Sequence, residues 1–62
     1  MYRLDFVITR ATSLDGSVRD LPIEEFVVIP GKVTWNNRDE AECARIDLSR
    51  AADNGYYRVV EF

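Results

Sequence analysis

The 62-residue sequence contains no histidine, one cysteine, one lysine and two prolines. Without histidine there is no imidazole acid or base for a step near neutral pH, no Ser-His or Cys-His nucleophile pair and no Cys/His zinc site. The lone thiol, Cys43, cannot close an intramolecular disulfide, so the usual cross-link of small secreted domains is excluded. Long apolar runs are missing too. Arg3 and Asp5 interrupt the apolar N-terminus MYRLDFVITR, which is therefore not a signal-peptide core, and no stretch approaches the ~20 apolar residues of a membrane span. The expectation is a cytoplasmic chain that starts at Met1 and has no membrane partner. Glycine is scarce: Gly16, Gly31 and Gly55 lie far apart, so no glycine-rich phosphate loop is present. Basic residues are outnumbered 8 to 11, and the net charge of −3 argues against general nucleic-acid binding.

What remains is a short chain with one strong helical signal. A chain of this size forms one domain, residues 1–62, and buries only about 60% of its unfolded surface, so its stability is marginal and a partner or a second copy would help it. The segment from Asn37 to Gly55 carries start, period and stop signals. Asn37 is a candidate N-cap and Glu40 completes a capping-box pattern, while Asp39 and Glu40 place negative charge at the positive end of the helix dipole. Asn54-Gly55 supplies residues suited to a left-handed C-terminal cap. At about 100° per residue, Ala41, Ala44, Leu48, Ala51 and Ala52 form a core-facing stripe of small apolar residues. Cys43 and Ile46 project the other way, among Asp39, Asp47 and Arg50.

Around the helix the pattern is that of strands. Tyr2 to Ala11 alternates, with Tyr2, Leu4, Phe6 and Ile8 on the face expected beneath the helix and Arg3, Asp5, Val7 and Thr9 on the other. Residues 12–22, with the turn signal Asp15-Gly16, read as a long, partly ordered connection or as a hairpin in which Val18 and Leu21 continue a second strand; the connection is the preferred reading. Glu24 to Ile29 reads as a strand that Pro30-Gly31 leads into Lys32 to Trp35, by a hairpin turn or a bend. Trp35 is placed to pack on Ala41 at the start of the helix. Tyr56 to Phe62 is a last strand, with Tyr56, Arg58, Val60 and Phe62 on one face and Tyr57, Val59 and Glu61 on the other. The expected fold is α+β in the order β-β-(β)-α-β, with a single helix packed on one face of a three- to four-stranded, mostly antiparallel sheet. Its other face is left to solvent or a partner.

Candidate chemistry is thin. Adjacent Glu24 and Glu25 point to opposite faces of a strand and cannot act as a dyad. Asp39 and Cys43 stand one helical turn apart, but a carboxylate raises a thiol pKa, the wrong direction for a nucleophile. No cofactor, metal or catalytic residue is expected. The reading is a non-enzymatic protein-binding module whose contact residues are Cys43, Ile46, Asp47 and Arg50 on the outer helix, or Tyr56 or Tyr57 with Arg58 on the open sheet face. Seven of the eight basic residues are arginine, whose forked donors suit carboxylates across an interface. The partner is another protein or a second copy of the chain. A further alternative is an acidic nucleic-acid mimic built from Asp15, Asp20, Glu24 and Glu25 with Asp39, Glu40, Glu42 and Asp47; against it, Glu42–Arg45 and Asp47–Arg50 are spaced to pair along the helix. An RNA-reading sheet using Tyr2, Tyr56 and Tyr57 lacks the supporting basic residues. In format, a very short acidic chain with a strand-rich start, one helix and a terminal strand, the sequence looks like many small phage proteins, including anti-CRISPR inhibitors. That likeness is one of size and element order, it implies an inhibitor of a host complex, and it carries over no functional residue.

Overall fold

The computed structural model describes all 62 residues. Strand β1 (Tyr2–Ile8) is followed by β2 (Arg10–Thr12), β3 (Val18–Asp20), a 3₁₀ turn (Ile23–Glu25), β4 (Val27–Trp35), helix α1 (Arg38–Ala51) and β5 (Gly55–Glu61). Three strands form the main sheet in the order β4-β1-β5, with β1 antiparallel to both neighbours, and β2 and β3 make a separate two-stranded sheet. The class is α+β, with one helix packed against a mostly antiparallel sheet.

Because β1 is central, its alternation sets both faces. Leu4 stands opposite Val59, and Phe6 lies between Ile29 and Tyr57, so these residues share one face; Asp5 lies between Pro30 and Arg58, and Val7 between Val28 and Tyr56, on the other. Helix α1 joins the parallel strands β4 and β5 across β1, and the right-handed sense of such crossovers puts it over the face of Leu4 and Phe6. Burial agrees: Tyr57 and Val59 are half-buried, whereas Tyr56 and Arg58 are exposed. The helix lies chiefly along β5. Odd-numbered residues of β1 bond to β5, as Thr9 N–H donating to Asn54 O (2.9 Å) and Phe62 N–H donating to Met1 O (3.0 Å) show at the two ends. The Tyr57 N–H therefore faces away from β1, and it donates to Ser49 Oγ of the helix (3.3 Å).

Several elements differ from the sequence reading, each for a local reason. Residues 10–20 are a hairpin arm and not a connection. Asp15 Oδ1 accepts from Ser17 N–H (2.9 Å) and Ser17 Oγ–H (2.7 Å), Gly16 takes a φ of 87°, and Arg10 Nε donates to Asp20 across the strands (3.1 Å). Glu24 and Glu25 sit in the 3₁₀ turn after Pro22 and not in a strand, since Glu25 N–H bonds Pro22 O (2.9 Å) and Phe26 N–H bonds Ile23 O (3.2 Å). Of the two readings left open for Pro30-Gly31, the structure has the bend, within one strand. Arg3 pairs with Thr34 and Asp5 with Pro30, so Gly31, Lys32 and Val33 share the place opposite Leu4 as a bulge. Asp5 directs its backbone toward β5, so the missing N–H of Pro30 falls on the outer edge of β4, where it costs no ladder bond.

The helix forms where expected, with different ends and a different roll. Asn37 Oδ1 accepts from Asp39 N–H (2.7 Å), two residues on, and this cap does not involve the N–H of Glu40. The C-terminus closes at Ala52 in extended conformation and not through a left-handed Gly55. Gly55 instead opens β5 against β1, where a methyl group would run into the Val7 carbonyl oxygen. Of the expected stripe, Ala41 is fully buried and Ala44 and Ala52 are half-buried, but Leu48 and Ala51 are exposed, because the helix presents Arg45 and Ser49 to the sheet as well. On the face expected to look outward, Val7 and Asp5 are 2% and 3% exposed, since each is flanked by side chains of both neighbouring strands.

Packing is sparse. Leu4, Val7 and Ala41 are the buried apolar residues, the radius of gyration is 13.1 Å, and the longest dimension is 42 Å. A compact chain of this length has a radius of about 11 Å. The arm extends the molecule without apolar cover: Leu14 at its tip and Val18 on β3 are exposed. Two substitutions test the local account by denaturant unfolding. Asn37→Ala should lower stability by about 1 kcal/mol through loss of the cap. Gly55→Ala should cost more, about 2 kcal/mol or above, because backbone and not a flexible side chain stands in the way.

Candidate interaction surface

On the sheet face without the helix, a carboxylate lies between two guanidinium groups. Asp5 Oδ1 accepts from Arg3 Nε at 3.0 Å and Oδ2 from Arg58 Nη2 at 3.4 Å. Arg3 is two residues from Asp5 on the same strand face, and Arg58 is brought opposite by the register of β1 with β5. The guanidinium of Arg3 also stands 5.4 Å from the ring centroid of Phe62, a cation–π distance. Tyr56 lies on the same face of β5 as Arg58, and Phe62 continues that alternation; all three are exposed. The result is a row of arginine and aromatic side chains around a covered acid.

Electrostatics keep that acid charged. Burial pushes the Asp5 carboxyl upward, but the hydrogen bond and charge of Arg3, followed by those of Arg58, more than reverse this and hold it below its ordinary value of 3.8. Its low exposure comes from side chains laid across it and not from depth in the protein. Each arginine gives Asp5 one N–H, and the remaining donors of each fork stay free of it. The cluster carries one net positive charge in a chain of net charge −3.

The structure divides the sequence-predicted contact residues among three places. Tyr56 and Arg58 belong to the open face. Tyr57 lies on the helix face, half-buried, its ring 4.7 Å from that of Phe6 at 41°. Cys43, Ile46, Asp47 and Arg50 are exposed on the outer surface of α1, remote from the arginine cluster in the fold, and Cys43 is a free thiol. Of the two helix pairs expected, Glu42–Arg45 forms at 2.8 Å between half-buried side chains, whereas the exposed Asp47 and Arg50 form none. The acids of the arm region are partly neutralised, Asp20 by Arg10 (3.1 Å) and Glu25 by Arg19 (3.7 Å). Arg3, Asp5 and Phe62 were not among the residues the sequence pointed to. The two-residue spacing of Arg3 and Asp5 is visible in the sequence, but their meeting with Arg58 depends on strand pairing.

The surface has no cavity, no group of three or more His, Cys, Asp or Glu is arranged to hold a metal, and no helix is long and apolar enough to cross a membrane. The depressed Asp5 pKa fixes a pH dependence. The folded state holds the Asp5 carboxyl below its unfolded value, so the stability it contributes is present above about pH 4 and is lost as pH falls through the folded pKa. The exposed Asp15, lowered by its bonds to the Ser17 side chain and backbone, titrates in the same acid range. Asp5→Asn should therefore lower stability at neutral pH by about 1–3 kcal/mol and flatten, without abolishing, the loss on acidification below pH 4. Urea unfolding of both chains across that range measures the difference. No protein-family model, characterised protein or solved structure matches this chain.

Proposed function

We propose that the chain is a non-catalytic protein-binding module that recognises an acidic patch on another protein through its open sheet face. The observation that carries this reading is the Arg3–Asp5–Arg58 cluster beside Tyr56 and Phe62. Asp5 fixes the direction of both guanidinium groups before any partner arrives, so less side-chain freedom is lost on contact. Arginine and tyrosine are also the residues that most often dominate binding energy at interfaces, and bidentate arginine suits a carboxylate. A chain this small acts by covering part of a partner's surface, as an inhibitor or adaptor does.

Retention of a partner from lysate of the encoding organism, followed by variants, tests the proposal. Tyr56→Ala with Arg58→Ala should weaken binding of the retained protein tenfold or more, the equivalent of about 1.4 kcal/mol. Both side chains are exposed and Arg3, the larger contributor, still pairs with Asp5, so the melting temperature should fall only slightly, by the share of the Asp5 ion pair that Arg58 supplies. Ile46→Ala with Arg50→Ala on the outer helix should leave binding intact, and added salt should weaken the wild-type complex. Equal retention by the Tyr56 and Arg58 variant, or a loss confined to the helix variant, contradicts the assignment of this face.

A further inference from the structure

The helix face holds a second uncovered region that the proposed function does not use. Helix α1 lies along β5, and its orientation is fixed by two contacts: Ala41 is fully buried toward the sheet, and Ser49, 80° further round the helix, meets the outer edge of β5. Leu48, Ala44 and Ala51 lie 20°, 60° and 80° round in the opposite sense, on the flank that looks toward β4. On β4, Val27 and Ile29 share the helix face with Ile8 and Phe6. Leu48 is 45% exposed, and Val27 and Ile29 are 50% exposed. The apolar stripe read from the sequence is thus wider than the part the sheet covers, and its uncovered side faces the uncovered side of the sheet.

We infer that this flank, α1 residues Ala44, Leu48 and Ala51 with β4 residues Val27 and Ile29, is the twofold interface of a homodimer. The patch is self-complementary in size. Its helix half contributes two alanines and its strand half bulky β-branched groups, so a twofold axis sets the helix of each copy against the strand of the other. The chain exposes 4653 Å², about 500 Å² more than a compact 7.2 kDa chain presents, a surplus that the flank shares with the arm. A standard interface takes roughly 800 Å² from each partner, so the flank forms the apolar centre of the contact and exposed residues around it complete the area. With Leu4, Val7 and Ala41 as the only buried apolar residues, covering this flank would add a large share to a small core, and a second copy is the occupant always at hand.

Sedimentation equilibrium of the full chain should give a mass of about 14 kDa, twice 7.2 kDa, and dilution should lower the melting temperature by mass action. Leu48→Glu should halve the mass, while Ile46→Glu, at similar exposure on the other side of α1, should keep the dimer. In case Leu48→Glu fails to fold, a second experiment decides. Cys43→Ser chains carrying Ile29→Cys, mixed with Cys43→Ser chains carrying Leu48→Cys, should form a disulfide-linked pair on oxidation, and Ile46→Cys in place of Leu48→Cys should not. A one-chain mass at every concentration, including the case in which a different protein occupies the flank, overturns the inference. So does a dimer indifferent to Leu48→Glu, or cross-linking as efficient from position 46 as from position 48.

Discussion

Since β4 and β5 do not pair with each other, every cross-strand hydrogen bond of the main sheet passes through β1, and what β1 buries limits the stability of the whole chain. Its residues alternate between an apolar set under the helix and the mixed set Arg3, Asp5 and Val7. The central position leaves Asp5 nowhere to be hydrated freely, and the two arginines are the response. The attraction of these part-exposed arginines outweighs the cost of covering the carboxylate, as its lowered pKa records, so the cluster adds modestly to stability. The acid also supplies orientation, holding two cationic forks in place on an otherwise uncovered surface.

The helix has a matching constraint. Its small side chains allow close approach to the sheet, and the Ser49 bond to the edge of β5 draws it to that side. One helix about 10 Å across cannot then also cover β4. The strand left behind is protected against uncontrolled pairing by its own irregularities: Pro30 without an outward N–H, the bulge at 31–33, and Lys32. Edge addition is discouraged while the apolar side chains of Val27 and Ile29 stay accessible, so a partner for this strand has to meet its face.

Much of this was legible in the sequence, and the limits have physical causes. The cap at Asn37, the alternation of β1 and β5, and the outward placement of Cys43 and Ile46 follow from local rules with periods of 3.6 and 2, and the structure reproduces them. The hairpin arm is closed by several contacts at once, the Asp15 bond to the Ser17 backbone, the left-handed Gly16 and the Arg10–Asp20 pair across the strands, and Asp15-Gly16 alone signals only a turn. The role of Gly55 is set by the Val7 carbonyl, 48 positions away in the chain, so a reader of local signals assigns it to the helix end instead. Asp5 and Arg58, 53 residues apart, meet only once β5 is known to pair with β1. The roll of the helix depends on sheet width, which no periodicity encodes.

The two surfaces face opposite ways, and this separation has a consequence for binding strength. A twofold dimer built on the helix-face flank would turn both open faces outward, each with its own Arg3–Asp5–Arg58 cluster. The assembly would then be bivalent. A partner that presents its acidic patch twice, as a symmetric or repetitive assembly does, would be held at both ends, and the second contact would form at the high effective concentration set by the rigid dimer and not by diffusion from solution. A 62-residue chain with one modest contact face would gain by this route an apparent affinity that its own area cannot supply.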